Sequence, residues 1–269
     1  MRSRLQHLRA PGRGRNLPVP ELACRPGRKY PSMNGPDAPG ATPPAALPDT
    51  SDGGMKITVI ENGPFIVTGG VPLTTMEYVY DDLGNCRSWN ETTTYPLRER
   101  YALCRCGQSK NLPFCDGTHA QVGFDGTEAG DREPFLEGAV ITRGPSLTLA
   151  DNRHLCSHAG FCHRAGGIWN LVRFSDPESR AIAIEEACDC PTGRLVLYDN
   201  AAGEAIGQDL EKSIAVIVDP ETGEQGPLWV RGGIPVVGAD GTPYEVRHRV
   251  TLCQCGKSRN KPFCDGSHL

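Results

Sequence analysis

Short apolar runs separated by glycine and proline set the pattern of this chain. Phe65-Ile-Val, Tyr101-Ala-Leu, Leu228-Trp-Val and Val250-Thr-Leu are β-prone triplets bounded by turn formers, and they read as small strands. Helix is scarce. The candidates are the turn starting near Cys115 or Cys264 and a stretch around Gln208 to Ser213. Residues 1–54 show neither periodicity and contain 10 of the 23 prolines, so they are expected to form a disordered extension.

The strand pattern repeats. Asn62 to Leu73 reads NGPFIVTGGVPL, and Gln225 to Val236 reads QGPLWVRGGIPV. Each copy then runs into its own cysteine cluster, the first with about 14 more residues in between, around Glu77 to Asn90, which suggests an inserted hairpin or loop. The boundaries that follow are 55–125 for the first repeat, 130–212 for a segment with its own cysteines, and 213–269 for the second repeat. Neither repeat has enough apolar residues to bury a core alone. The two are therefore expected to pack as a pseudo-dimer about an approximate two-fold axis, within a monomer of α+β, mostly β class.

Composition narrows the chemistry. Hydrophobic content of 38% with 6% aromatics argues against one large core. The net charge is −4. Residues 1–54 hold 8 Lys/Arg against 4 Asp/Glu, which leaves the remainder at 20 against 28, or −8. An acidic body of this kind is a poor nucleic-acid partner. No apolar run approaches the roughly 20 residues that span a bilayer, and no apolar core follows the basic start as a secretory signal requires. The reading is a soluble cytoplasmic chain with reduced cysteines and no membrane partner. Met1 to Arg15 carries five arginines and no acid, as transit peptides do, but Pro11, Gly12 and Gly14 break the amphipathic helix such a peptide needs. The globular pattern begins abruptly at Met55, so Met33 and Met55 stand beside Met1 as candidate starts.

Ten of the twelve cysteines fall in tight clusters, whereas a disulfide framework spreads its cysteines so that bridges close loops. Both repeats end in Cys-x-Cys-Gly-x-Ser-x-Asn-x-Pro-Phe-Cys-Asp-Gly-(Thr/Ser)-His, from Cys104 to His119 and from Cys253 to His268. In each copy the last cysteine and the histidine are four residues apart, as on one face of a helical turn. Asp116 and Asp265 stand where a carboxylate caps free backbone N–H groups, and Pro113-Phe114 and Pro262-Phe263 would fix the loop and shield the site. Cys3His is also a zinc pattern, closed and tetrahedral in structural sites, so spacing alone leaves zinc and iron both open.

This loop resembles that of the CDGSH iron-sulfur family, which includes mitoNEET, throughout its ligand-bearing length in both copies. Thr118 replaces the serine of the family's name and keeps the hydroxyl. The resemblance implies two [2Fe-2S] clusters. Cys104 and Cys106 would hold the inner iron of the first and Cys115 with His119 the outer. Cys253 and Cys255, then Cys264 with His268, would do the same in the second. It also implies a two-fold arrangement with swapped strands. Replacing a thiolate by a neutral imidazole makes a cluster less negative and raises its reduction potential. The imidazole also makes cluster retention sensitive to protons.

Between the repeats, Cys156-Ser-His-Ala-Gly-Phe-Cys162 and Cys188-Asp-Cys190-Pro191 are similar to the bacterial ferredoxin run, with Ala159 in place of its central cysteine. Residues 150–198 resemble the divergent single-cluster ferredoxin segment found beside such domains. That implies a [3Fe-4S] or [4Fe-4S] cluster on Cys156, Cys162 and Cys190, with Cys188 or His158 as a possible fourth ligand. A zinc site or inert thiols is the plainer alternative. Cys24 and Cys86 lack partners at ligand spacing and read as free thiols. His154, His163 and His248 read as supporting or surface residues, and His7 has no argued role. The Gly-Gly pairs at 69–70 and 232–233 lack the lysine and helix of a phosphate cradle and read as turns.

The sequence therefore points to an iron-sulfur protein that transfers electrons or delivers clusters to redox or cluster-acceptor proteins. A zinc-stabilised binding module and an electron-relay component of an oxidoreductase are the rivals. There is no flavin or nicotinamide fingerprint, no nucleophile constellation and no paired acid/base carboxylates, so turnover of its own is not expected.

Overall fold

The computed structural model describes residues 54–269 and the backbone of Arg25–Pro26. The expected disordered extension and Cys24 otherwise lie outside the described residues. Strand β1 is Arg25–Pro26. The first repeat follows with β2 (Lys56–Val59), β3 (Phe65–Thr68), β4 (Leu73–Tyr80), β5 (Cys86–Thr94), β6 (Arg100–Leu103) and the short helix α1 (Thr118–Gln121). Next come β7 (Val140–Arg143), β8 (Leu147–Asp151), α2 (Ile168–Leu171), α3 (Pro177–Asp189), β9 (Leu195–Asp199) and β10 (Ala205–Gly207). The second repeat supplies β11 (Ser213–Val218), β12 (Gln225–Arg231), β13 (Val236–Val237) and β14 (Arg249–Leu252).

The strands form three sheets, and two of them are built from both repeats. One runs β13-β2-β3-β6 and the other β14-β12-β11-β4-β5. In the first, β13 of the second repeat lies parallel to β2, with Val236 opposite Ile57. In the second, β4 of the first repeat lies parallel to β11, with Leu73 opposite Ile214. The hairpins agree as well: Phe65 pairs with Val59 and Leu103, and Leu228 pairs with Val216 and Leu252. Each repeat thus lends its third strand to the other's sheet, an exchange related by an approximate two-fold.

Alternation explains why this works. β2 and β3 bury every second residue, so each sheet has one apolar face that must be covered. Ile57, Phe65, Leu73 and Leu103 from one copy share a single buried cluster with Ile214, Leu228, Val236 and Leu252 from the other. The expected pseudo-dimer is therefore one core.

The extra residues of the first copy form the β4–β5 hairpin. Asp81 closes its turn by accepting from the backbone N–H of Leu83 at 3.0 Å and Asn85 at 2.9 Å. The hairpin is also a bridge. The Trp89 ring lies 4.9 Å from Trp229 of the second repeat and 4.8 Å from Phe161 of the middle segment, and its Nε1 donates to the Asp189 carbonyl at 3.0 Å.

The middle segment forms the third sheet, β1-β10-β9-β8-β7. Leu147, Leu149, Leu195 and Leu197 face α2 and α3, packing on Ile168, Val172, Ala183 and Ala187. The Gln208–Ser213 stretch is not helical. Its Leu210 is buried, and the residues lead straight into β11. The principal helix is α3 instead, and its signal was in the sequence: Asp176 caps by accepting from the Ser179 N–H at 2.8 Å, with Pro177 at the first helical position. Among the described residues no helix is long and apolar enough to cross a membrane.

A shared core makes a prediction that separate cores would not. Ile57→Ala and Ile214→Ala should each cost about 2–5 kcal/mol, and in denaturant melts each should shift one common transition for both repeats. Two resolved transitions, with only the mutated repeat shifted, would contradict the shared core.

Candidate metal centres

Each motif loop starts where a strand runs out and returns beside it. Cys104 follows β6, and its N–H donates to the Pro113 carbonyl at 2.9 Å, while the Cys115 N–H donates back to Ala102 at 2.9 Å. The second loop repeats this with Cys253 to Pro262 at 2.8 Å and Cys264 to Thr251 at 2.9 Å. Ser109 and Ser258 pin the loops by donating to the carbonyls of Phe114 at 2.6 Å and Phe263 at 2.7 Å. Asp116 accepts from the N–H groups of Thr118 at 3.0 Å and Lys110 at 2.8 Å, and those bonds hold its carboxyl well below the usual carboxylate range. Asp265 does the same with Ser267 at 3.0 Å and Arg259 at 2.9 Å.

The result is two pairs of donors per loop. Cys104 and Cys106 Sγ lie 3.6 Å apart, and Cys115 Sγ lies 3.3 Å from His119 Nδ1. In the second loop the distances are 3.8 Å between Cys253 and Cys255 and 3.5 Å between Cys264 Sγ and His268 Nδ1. All six cysteines are free thiols. Burial raises the Cys106 thiol and pushes Cys264 up to about 12. The Cys255 thiol is held low, first by the Cys253 thiol and then by the Lys257 N–H. The central residue of each Cys-x-Cys points away from the donors. Arg105 is buried, with Nη1 donating to the Ile60 carbonyl at 2.8 Å and Nη2 to that of Gly126 at 3.0 Å.

The loops meet each other reciprocally. A Cβ on Gly107 would come 2.6 Å from the Cys255 carbonyl oxygen, and one on Gly256 would come 2.8 Å from that of Cys106. Both glycines have left-handed φ, +71° and +78°, so glycine is required twice over.

The middle cysteines meet in a separate cavity of about 450 Å³. Cys156, Cys162 and Cys190 line it together with His158, Trp169 and Arg194. Burial, then the Cys190 thiolate, pushes Cys162 up to about 12. Arg194 brings positive charge to the cavity while its Nε and Nη2 grip both Asp151 oxygens at 2.8 Å. That bidentate pair orients the guanidinium; Arg194 lies in the Cys190-Pro-Thr-Gly-Arg-Leu ending of the ferredoxin-like segment, but its pairing with Asp151 was not marked by it.

Cys188 does not join them: it is disulfide-bonded rather than the expected reduced thiol, and it does not line the cavity. The geometry leaves His158, held at a left-handed φ of +61°, as the candidate from the original pair. Cys86 is a free thiol, raised to about 11 by burial. His163 stands 5.5 Å from Trp169. His154 is exposed, and His248 is buried with Nε2 2.8 Å from the Gln208 carbonyl. Of these three, His163 lines the middle cavity with the cysteines.

Two equivalent loops with paired thiol and imidazole donors, plus a separate three-thiol cavity, present donor sets of the kind that hold metal. Residues 62–120 and 225–269 match the family model described as iron-binding zinc finger CDGSH type, and residues 142–200 match the divergent 4Fe-4S mono-cluster. Two CDGSH-type matches thus flank a divergent mono-cluster match, a tandem arrangement of iron-binding segments along one chain. No curated protein and no solved structure matches it.

Two predictions follow from this geometry. Gly107→Ala and Gly256→Ala should each cost about 1–3 kcal/mol through backbone strain and the reciprocal clash, measured as a lowered denaturant midpoint; unchanged midpoints would mean that the loops do not touch. Glu186 on α3 is fully buried, and burial raises its carboxyl from the ordinary 4.5 to about 8, against the Arg164 charge and the backbone N–H groups of Ile168 and Arg164, which pull it down. Its neutral form is therefore the stable one in the fold. The contribution of Glu186 to stability should be full below about 4.5 and be lost as pH rises through about 8. Glu186→Gln should flatten that decline in thermal midpoints taken across the interval.

Proposed function

We propose that each Cys3His loop holds a [2Fe-2S] cluster, that the middle cavity holds a [3Fe-4S] or [4Fe-4S] cluster, and that the protein is a carrier of electrons or clusters. The observation that carries this reading is the two-by-two division of donors. Cys104 with Cys106 and Cys115 with His119 form separate close pairs, repeated in the second loop. A closed zinc site gathers four donors around one ion, whereas a two-iron cluster takes one pair at each iron. The donor chemistry fits, since all the thiols concerned are free and His119 and His268 turn Nδ1 toward their cysteines.

When bound, such clusters supply one-electron chemistry at a potential raised by the imidazole ligand. The protein's own residues do the rest. Asp116 and Asp265 hold the ligand turns, Phe114 and Phe263 limit water, and Arg194 offsets negative charge in the middle cavity. Turnover on a substrate of its own is not part of this reading. The partners are redox proteins or cluster acceptors, met by a monomer in a reducing compartment, the cytoplasm.

Anaerobic reconstitution tests it. Iron and acid-labile sulfide should be found at about two of each per Cys3His motif, with further iron in the middle cavity. His119→Cys with His268→Cys should lower the potential of the corresponding EPR signals and leave the middle signal in place. One zinc per motif without sulfide, or a potential indifferent to both histidines, would overturn the proposal.

A further inference from the structure

The two Cys3His loops share their internal geometry but not their surroundings. A Cβ on Gly266 would run into the ring of His158, while one on Gly117, the equivalent residue, would meet nothing within 4 Å. Asn260 donates through Nδ2 to the His154 carbonyl at 2.9 Å, and the Lys261 carbonyl accepts from the N–H groups of Ala129 and Gly130 at 2.8 Å. Their counterparts Asn111 and Leu112 are exposed. Cys264 is 2% exposed and Phe263 5%, whereas Cys115 and Phe114 are only half-buried. His268 faces Gly226 of β12, close enough that a Cβ there would lie 3.4 Å from Nε2. His119 instead lines an open basin of about 620 Å³ with Asn62, Gly123 and Phe124.

The middle segment and the Ala129–Gly130 stretch that leads into it thus cover the second loop at Asn260 to Gly266. The matching part of the first loop, Asn111 to Cys115, is more open, although Cys104 and Cys106 are buried and both histidine rings are half-buried. We infer that the two sites divide the work: the first, around His119, exchanges its bound group with an acceptor in solution, and the second, under His158 and Asn260, retains its group. This deepens the carrier reading and rests on it, by naming which site faces the partner. The physical reason is access. A donor can be displaced only where an incoming ligand can reach the metal side, and the second loop has protein there. To open it, the contacts of His158, Asn260 and Lys261 must first give way, a local opening with its own free-energy cost.

The experiment uses the reconstituted full chain under anaerobic conditions with excess ferrous chelator, following visible absorbance and released iron. Loss from the two Cys3His sites should be biphasic, on top of any release from the middle cavity, which is the same in every variant below that leaves its lining intact. Cys115→Ala, which keeps only the second Cys3His site, should lack the fast phase, and Cys264→Ala should lack the slow one, with the two rates at least about tenfold apart. On the Cys115→Ala background, His158→Ala and Asn260→Ala should each speed release; Asn260→Ala, which leaves the middle cavity's lining untouched, serves if His158→Ala does not fold. Equal rates, or faster release from the second site, would overturn the inference. If the purified motifs carry zinc without sulfide, the carrier reading fails separately. The same order of release, read with a zinc-sensitive dye, then decides the inference.

Discussion

The exchange of one strand between repeats is the constraint on which the molecule depends. A hairpin of two four-residue strands such as β2–β3 has a single apolar face and cannot form a stable unit in water. β13 completes the sheet of the first repeat and β4 that of the second, and the covered faces merge into one cluster. The ligand loops inherit their precision from this arrangement. Cys104 and Cys253 leave the ends of β6 and β14, strands held in register by the shared core, and each loop folds back through a bridge at Phe114 or Phe263. The contact of Gly107 with Cys255 and of Gly256 with Cys106 then locks the two loops together at the point where both leave their sheets.

The symmetry is broken in two places, and each break serves the middle segment. The first repeat keeps a long β4–β5 hairpin, whose Trp89 packs on Phe161 and Trp229. The second repeat lends its ligand loop, where Asn260 and Gly266 lie against His154 and His158. The segment is therefore held to the repeats by an aromatic stack on one side and by a loop contact on the other. Two loops with nearly identical sequences end in different solvent environments. Environment governs how readily a thiolate or imidazole is reached and what charge it can carry, so sequence identity between the motifs does not make them equivalent sites.

Much of the site was legible in the chain because its information is local. The donors of each Cys3His motif lie within sixteen residues, and a cysteine and a histidine four apart on a turn must face the same way. The small strands were legible for a similar reason, since Phe65-Ile-Val and Leu228-Trp-Val are short, β-branched or aromatic, and bounded by glycine. The helix misread at Gln208 to Ser213 shows the limit. That stretch has helix-compatible residues, but Leu210 is buried with Ala215 and Trp229 against the hairpin, and tertiary burial outweighs weak propensity. The Asp176-Pro177 start of α3 was a clear local signal that went unread.

By itself the sequence determined the repeat, the donor sets at Cys104 to His119 and Cys253 to His268, and the three middle cysteines, because ligand chemistry and turn chemistry are written in residue type and short spacing. Only the tertiary structure decided which strand pairs with which repeat, that Cys188 is bonded while Cys156, Cys162 and Cys190 share a cavity, and that Arg194 stands beside them. It alone decided that one loop is covered and its twin more open. These are relations between segments tens to more than a hundred residues apart, set by which apolar faces find cover, and no local pattern in the chain encodes them.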